Sequence, residues 1–318
     1  MYIIAEIGFN HEGSMDVAAK MIQSAAESGA NAVKFQTYKA NDILMPYNAN
    51  YEAIQCGEID INQHIELYQI ANDNKIEFIS TPFNPRAVEL LEKIGVSAYK
   101  VASMDCTNKY LLKYIAQTGK PIYISTGMAT LNEIAETLHF LNEQMSTKIT
   151  IMHCLSLYPA DAQSLNLNII PFLKQIFGVP VGYSDHYPGT KACIAAALVG
   201  AAVIETHFTL NSKKTGADHY HSAEPDDLKS LILDINLFST MCGKKEAIFK
   251  RPDRKYAKEY RRGLYAASDL KKGHIMNELD FLCCRPFSGL SPEDIKWFNG
   301  KILNQDILAY QAMEKTFI

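Results

Sequence analysis

The chain has 318 residues, 47% hydrophobic and 21% charged, so it can bury a sizeable core and lacks the composition of a disordered protein. A formal charge of −4 and a pI near 6.1 exclude a nucleic-acid binder held mainly by a basic surface. The apolar runs fall short of the roughly 18 residues of a membrane span, and seven cysteines without paired metal spacing, behind an opening strand rather than a leader, predict a cytoplasmic protein.

The first strand is expected over Tyr2 to Gly8, followed by a segment of helical period from Met15 to Ser28. Further strands are predicted over Ala32 to Thr37, Glu77 to Thr81, Ser97 to Ser103, Pro121 to Thr126, Thr150 to Cys154, Pro180 to Ser184 and Ala202 to Phe208. Stretches such as Arg86 to Ile94, Leu131 to Leu141 and Lys191 to Val199 lie between them, with apolar residues three and four apart. Eight such βα units predict a parallel (β/α)8 barrel over residues 1–243. A doubly wound open sheet is the rival; it lacks a G-x-G-x-x-G after the first strand, and polar residues end nearly every strand rather than meeting at one switch point.

Residues 244–260 are rich in Lys and Arg, contain Pro252 and read as a linker. The remainder, residues 261–318, has short apolar stretches broken by Gly273, Pro286 and Gly289, and is expected to form a small β-rich domain.

Charged residues inside strands carry the chemistry. Lys34 and Gln36, Ser184 and His186, and Glu205 and His207 each lie two apart, so each pair faces one side of its strand. Lys34 and Lys100 need an answering anion if buried, and the plain reading is an internal salt bridge to Glu6 or Glu205. Two lysines together with Thr81, Ser103, Ser125 and Ser184 instead favour an anionic ligand, because all are donors. His186 and His207, near the ends of the last two strands, are candidate ligands of one divalent metal, with Glu6, Glu205 and Asp218 to complete or orient the site. His219 and His221 sit in a polar stretch before Pro225 and are expected in a solvated loop. Cys154, Cys193 and Cys242 are read as small core residues.

With Ala5-Glu6-Ile7-Gly8-Phe9-Asn10-His11-Glu12-Gly13, Val33-Lys34-Phe35-Gln36-Thr37, Ser80-Thr81-Pro82-Phe83, Tyr99-Lys100-Val101-Ala102-Ser103, Ser125-Thr126-Gly127-Met128 and Ser184-Asp185-His186 in this order, the chain resembles the sialic acid synthase family. The resemblance extends through Arg261-Arg262-Gly263-Leu264-Tyr265 and Arg285-Pro286, which look like that family's C-terminal antifreeze-like (SAF) domain.

The resemblance implies a carbon–carbon bond-forming transferase that condenses phosphoenolpyruvate with the open-chain aldehyde of an N-acetylated hexosamine, typically N-acetylmannosamine. It places Lys34, Thr81, Lys100, Ser103, Ser125 and Ser184 on phosphoenolpyruvate. His186 and His207 fall on the metal, which would be Mn, Mg or Co. Gln36, Tyr158, Asp218 and the antifreeze-domain Arg285 fall around the sugar. Glu6, Lys100 and Glu205 are the catalytic candidates, with Glu6 or Glu205 handling the proton. The family further implies a domain-swapped homodimer.

Ser156, Asp105 and Phe287-Ser288, in Arg285-Pro286-Phe287-Ser288-Gly289, depart from the family's common residues, all on the sugar side, and admit a 2,4-diacetamido-2,4,6-trideoxyhexose, the precursor of legionaminic or pseudaminic acid. A phosphorylated sugar ranks lower, since Arg86 is the only arginine before Arg251. A metal-dependent hydrolase barrel lacks its usual His-x-His after the first strand, and a non-catalytic sugar binder would have no need of Lys34, Lys100, His186 and His207.

Overall fold

The computed structural model describes residues 1–145 and 148–318. Eight parallel strands close into a barrel: β1 (Tyr2–Gly8), β2 (Ala32–Thr37), β3 (Glu77–Pro82), β4 (Tyr99–Val101), β5 (Ile122–Ser125), β6 (Ile149–Cys154), β7 (Val181–Asp185) and β8 (Val203–His207), with β8 pairing back onto β1. The (β/α)8 expectation holds.

Alternation along each strand builds two apolar layers. One parity, with Ile3, Ala5, Ile7, Val33, Phe35, Phe78, Ile124, Ile151 and Ile204, packs outward under the helices. The opposite parity supplies Ile4, Ala32, Ile79, Ala98, Met152 and Val203, a plug inside the barrel. Gly182 makes room for that plug, because a Cβ there would stand 2.3 Å from the Met152 sulfur and 2.7 Å from the Val203 carbonyl oxygen. The inward residues nearer the C-terminal strand ends are polar and form the site described below.

The helices start on local signals. Ser14 accepts the Val17 N–H, Asp60 and Gln63 form a capping box, and Asn84 accepts the Ala87 N–H with Pro85 in the first turn. Between β2 and β3 the chain inserts two short helices, Ala40–Ile43 and Tyr51–Cys56, ahead of the packing helix Ile61–Asp73. The last barrel helix, Pro225–Cys242, has its final buried residue at Ile235, so Cys242 is exposed rather than in the core. Cys154 and Cys193 are buried as expected. No described helix is long and apolar enough to cross a membrane.

Met1–Cys242 form one compact unit and Gly243–Ile318 a second. The charged stretch read as a linker forms short helical turns over Lys245–Lys250, Pro252–Tyr256 and Ala257–Tyr260 and groups with the second unit. That unit is small, and its regular strands are one short antiparallel pair. Its β9 (Gly263–Ala266) and β10 (Phe281–Cys284) pair antiparallel over a separate core that includes Leu264, Leu270, Met276, Phe298, Leu303 and Ile307.

Candidate active site

Strand register brings the charged residues together. Glu6 on β1 lies beside Lys34 on one side and His207 on the other, Gln36 pairs with Thr81, and Ser184 with Glu205. These side chains line a cavity of about 480 Å³ together with Lys100, Ser103, Ser125, Tyr158, His186 and Asp218. Every candidate site residue of the barrel therefore faces one space at the C-terminal strand ends. Arg285 belongs to the second unit, where its guanidinium lies 5.5 Å from the Tyr260 ring centroid.

Both lysines are buried and both have carboxylate partners. Lys34 Nζ is 2.8 Å from Glu6 and 4.0 Å from Glu205, and Lys100 Nζ is 3.5 Å from Glu205. The internal salt bridge is thus present at each lysine. The hydroxyls around them have capacity left over. Thr81 accepts from Lys34 at 3.0 Å, Ser125 accepts from Lys100 at 2.6 Å, and Ser103 accepts the Gly127 N–H at 3.2 Å. Each of the three has used its oxygen and retains its own hydrogen to donate, which is what an anion requires. Gly127 is part of this arrangement, because a Cβ there would lie 2.3 Å from the Ser156 Oγ and 2.7 Å from the Ser103 Oγ.

The two carboxyls are driven apart. Burial pushes both up; at Glu6 it prevails over Lys34 and is reinforced by Glu205, so the Glu6 carboxyl is held above its usual range. At Glu205 the ammonium groups of Lys100 and Lys34 and the Ser184 hydroxyl, which donates at 2.9 Å, overcome burial and hold the carboxyl below its usual range. Burial also pulls down both lysines. Lys34 is nevertheless raised by Glu205 and Glu6, whereas at Lys100 burial and the Lys34 charge outweigh Glu205.

At the other side of the cavity His186, His207 and His221 form a triangle with ring centroids 5.3, 4.8 and 6.2 Å apart. His186 Nδ1 lies 2.8 Å from the Leu155 carbonyl, which can only accept, so that nitrogen carries the hydrogen and Nε2 is left with its lone pair. Burial, with Glu6 nearby, raises the Asp218 carboxyl to about 6. His207 Nδ1 is 3.6 Å from Asp218, too far for a hydrogen bond. Among the described residues, His207 Nδ1, His221 Nε2 and Glu205 Oε2 are buried without a hydrogen-bond partner. Orphaned acceptors facing a carboxylate suit a divalent cation, so the residues fit the metal that the resemblance implies.

Two histidines depart from expectation. His219 and His221 are not in a solvated loop but buried, on the single turn His219–His221. Asn10 holds that turn: its Nδ2 donates to the Phe208 carbonyl and the Ser222 Oγ, and its Oδ1 accepts the Asp218 N–H. Cys154 lines the cavity too, its thiol 3.9 Å from His186 Nδ1. The apolar part of the wall, which includes Phe9, Ile43, Ile54 and Phe83, was not foreseen; Ile43 and Ile54 come from the two short inserted helices.

Residues 21–247 match the NeuB family. The chain is 39% identical to an N,N'-diacetyllegionaminic acid synthase of Campylobacter jejuni, over 96% of both chains. It is 30% identical to a pseudaminic acid synthase of the same organism, over 99% of this chain and 96% of that one. Among solved structures, the N-acetylneuraminic acid synthetase of Leptospira borgpetersenii in complex with citrate superposes with a TM-score of 0.73 at 32% identity, covering 80% of this chain and 92% of that one. A closed eight-stranded barrel with its polar residues gathered at one end, and likeness of this extent to three nonulosonic acid synthases, have one reading: the chain belongs to the NeuB family.

Proposed function

We propose that the chain condenses phosphoenolpyruvate with the open-chain aldehyde of an N-acetylated hexosamine, N-acetylmannosamine or a related sugar, giving a nine-carbon 2-keto sugar acid of the sialic acid type and phosphate. The observation that carries this reading is one cavity holding two buried ammonium groups and three hydroxyls with hydrogens to give. Such a cradle suits a ligand bearing both a carboxylate and a phosphate. In this reading Lys34, Lys100, Thr81, Ser103, Ser125 and Ser184 hold phosphoenolpyruvate, and Gln36, Tyr158 and Asp218 face the sugar. His186 and His207, with Asp218, would hold a divalent ion, which when bound supplies Lewis-acid polarisation of an aldehyde oxygen.

Carbon C3 of the enol attacks the aldehyde carbon, its electron pair forming the new C–C bond. Water adds to the cationic C2 and loses a proton; the C2 hydroxyl then becomes the ketone as the bond from C2 to the phosphate oxygen breaks, its proton leaving with the phosphate. One proton must reach the new alkoxide and one must leave the attacking water. Glu6, whose carboxyl burial holds above its usual range, is suited to relay both. Glu205 stays ionised and positions the Lys100 ammonium.

A second reading has a specific observation behind it. Phe9, Ile43, Ile54 and Phe83 give the cavity an apolar wall, which favours a sugar carrying a methyl group over one carrying a hydroxyl at that point. A 2,4-diacetamido-2,4,6-trideoxyhexose has that methyl, and the Campylobacter jejuni relative is a legionaminic acid synthase. Phosphate release should be assayed with phosphoenolpyruvate, Mn and three aldehydes: N-acetylmannosamine, its 6-phosphate and the diacetamido sugar, with the products weighed. No turnover with any of them sinks the proposal.

Among the described residues of the first unit, no arginine lines the cavity. This supports a domain-swapped homodimer in which Arg285 of the partner subunit supplies the missing fork to the sugar. Seven free cysteines fit the reducing cytoplasm.

A further inference from the structure

We propose that His221 is a direct ligand of the divalent ion, forming with His207 and Asp218 a two-histidine, one-carboxylate set. The inference rests on the reading that this end of the cavity takes a metal, and it goes beyond the pair His186 and His207. One ligand-capable atom from each of His207, Asp218 and His221 lies within 4.8 Å of the others. The His221 ring is closer to His207 than the His186 ring is, at 4.8 against 5.3 Å between centroids.

No described residue satisfies these atoms. His207 Nδ1 and His221 Nε2 are buried without a hydrogen-bond partner, on side chains 8% and 5% exposed. Their nearest carboxylate oxygens, both on Asp218, stand 3.6 and 3.9 Å away, beyond hydrogen-bond reach. A carboxylate held just out of contact between two unpaired imidazole nitrogens leaves a space that a cation fills, and leaving those nitrogens bare is costly.

The turn is built to aim His221 and not its neighbour. His219 Nδ1 is engaged by Thr209 Oγ1 at 2.7 Å, and its Nε2, though also without a hydrogen-bond partner, faces Glu12 at 3.4 Å rather than Asp218. Ser222 Oγ donates to the Asp218 carbonyl at 2.7 Å, locking the two ends of the turn that carries His221. Imidazole-rich sets with one carboxylate suit Mn, Co or Zn better than Mg, whose preferred ligands are oxygen.

The test is metal binding, not turnover. Co binding to the full-length protein should be titrated by visible absorption for the unaltered chain and for His221→Ala, His221→Gln and His207→Ala. Both His221 variants should bind Co at least tenfold more weakly and with an altered spectrum. Because a residue that merely props the site would also weaken binding, histidine 15N resonances of the unaltered protein should be followed on adding Zn. The His221 signal, assigned by its loss in His221→Gln, should move to a metal-bound position. If that signal stays put while His207 shifts, the proposal is overturned and the metal reading survives. If the unaltered protein binds neither Co nor Zn, both fall.

Discussion

The side chain of Asn10 accepts the backbone N–H of Asp218 at 2.9 Å, joining the loop after β1 to the loop after β8 across 208 positions of sequence. The same carboxamide donates to the Phe208 carbonyl at 2.9 Å and to Ser222 Oγ at 3.0 Å, so one residue uses three of its bonding positions to fix the segment carrying Asp218 and His221. Asn10→Ala removes three hydrogen bonds, leaves the Phe208 carbonyl without its side-chain donor, and should cost about 2 to 3 kcal/mol in urea unfolding. It should also weaken Co binding with no metal ligand altered. Stability within about 0.5 kcal/mol of the unaltered protein would mean that water replaces the carboxamide and the clasp is dispensable.

That clasp also explains which part of the site was legible in the sequence. Lys34, Lys100 and Glu205 announce themselves as charges inside apolar strands, and strand parity alone puts Glu205 and His207 on one face. His221 stands among polar neighbours, and the turn that carries it is tied at Ser222 to Asn10, 212 positions upstream, which no local pattern encodes. All eight strands were visible from their β-rich runs, though the fourth is only Tyr99–Val101, because Ser103 already begins a helical turn. The inserted helices Ala40–Ile43 and Tyr51–Cys56 are too short to set up a period, so the apolar wall they supply went unread.

The buried pairs Lys34–Glu6 and Lys100–Glu205 set up a direct contest between structural and binding roles for the lysines. Lys100→Met should weaken phosphoenolpyruvate binding by roughly 1.5 to 3 kcal/mol, since it removes a charge-assisted contact. It should also lower the melting temperature by leaving Glu205 without its nearest ammonium group. Adding Glu205→Gln should recover the stability and not the affinity. Recovery of both, or affinity unchanged in the single variant, would make Lys100 a structural residue only.

Gly127 tests the hydroxyl cradle without touching a charge. An alanine methyl would stand 2.7 Å from Ser103 Oγ and 2.3 Å from Ser156 Oγ, so both serines must rotate away. Because the displaced atoms are ends of small side chains, the fold should survive with a loss of about 1 to 2 kcal/mol while the KM for phosphoenolpyruvate rises at least tenfold. Ser103→Ala should raise KM similarly, and the double variant should add little to either. Independent, additive effects would show that Gly127 and Ser103 do not act through one contact.

Acid should loosen the barrel through its neutral histidines. Burial, with His64 nearby, holds His11 down to about 4, and its Nδ1 accepts the Gly13 N–H at 3.1 Å. Burial likewise depresses His64 and His153. A folded-state value below the unfolded one means stability present above about pH 6.5 and lost as the pH falls through about 4; for His11 alone the loss reaches about 3 kcal/mol. Urea unfolding at pH 7.5, 5.5 and 4.5 should trace this decline, and His11→Asn should flatten it. An equal slope in the variant would remove His11 from the account.

Whether Arg285 serves its own barrel or a neighbour's can be decided by mixing two inactive chains. Lys100→Ala lacks the anion site, and Arg285→Ala lacks the guanidinium proposed for the sugar. In a mixed dimer with exchanged second units, one site joins the intact barrel of the arginine variant to the intact Arg285 of the lysine variant, and the other site carries both lesions. Random pairing after co-refolding makes about half of the dimers mixed, so about a quarter of all sites should recover activity. If Arg285 acts on the barrel of its own chain, every site keeps one lesion whatever the pairing, and the mixture stays as inactive as its parts.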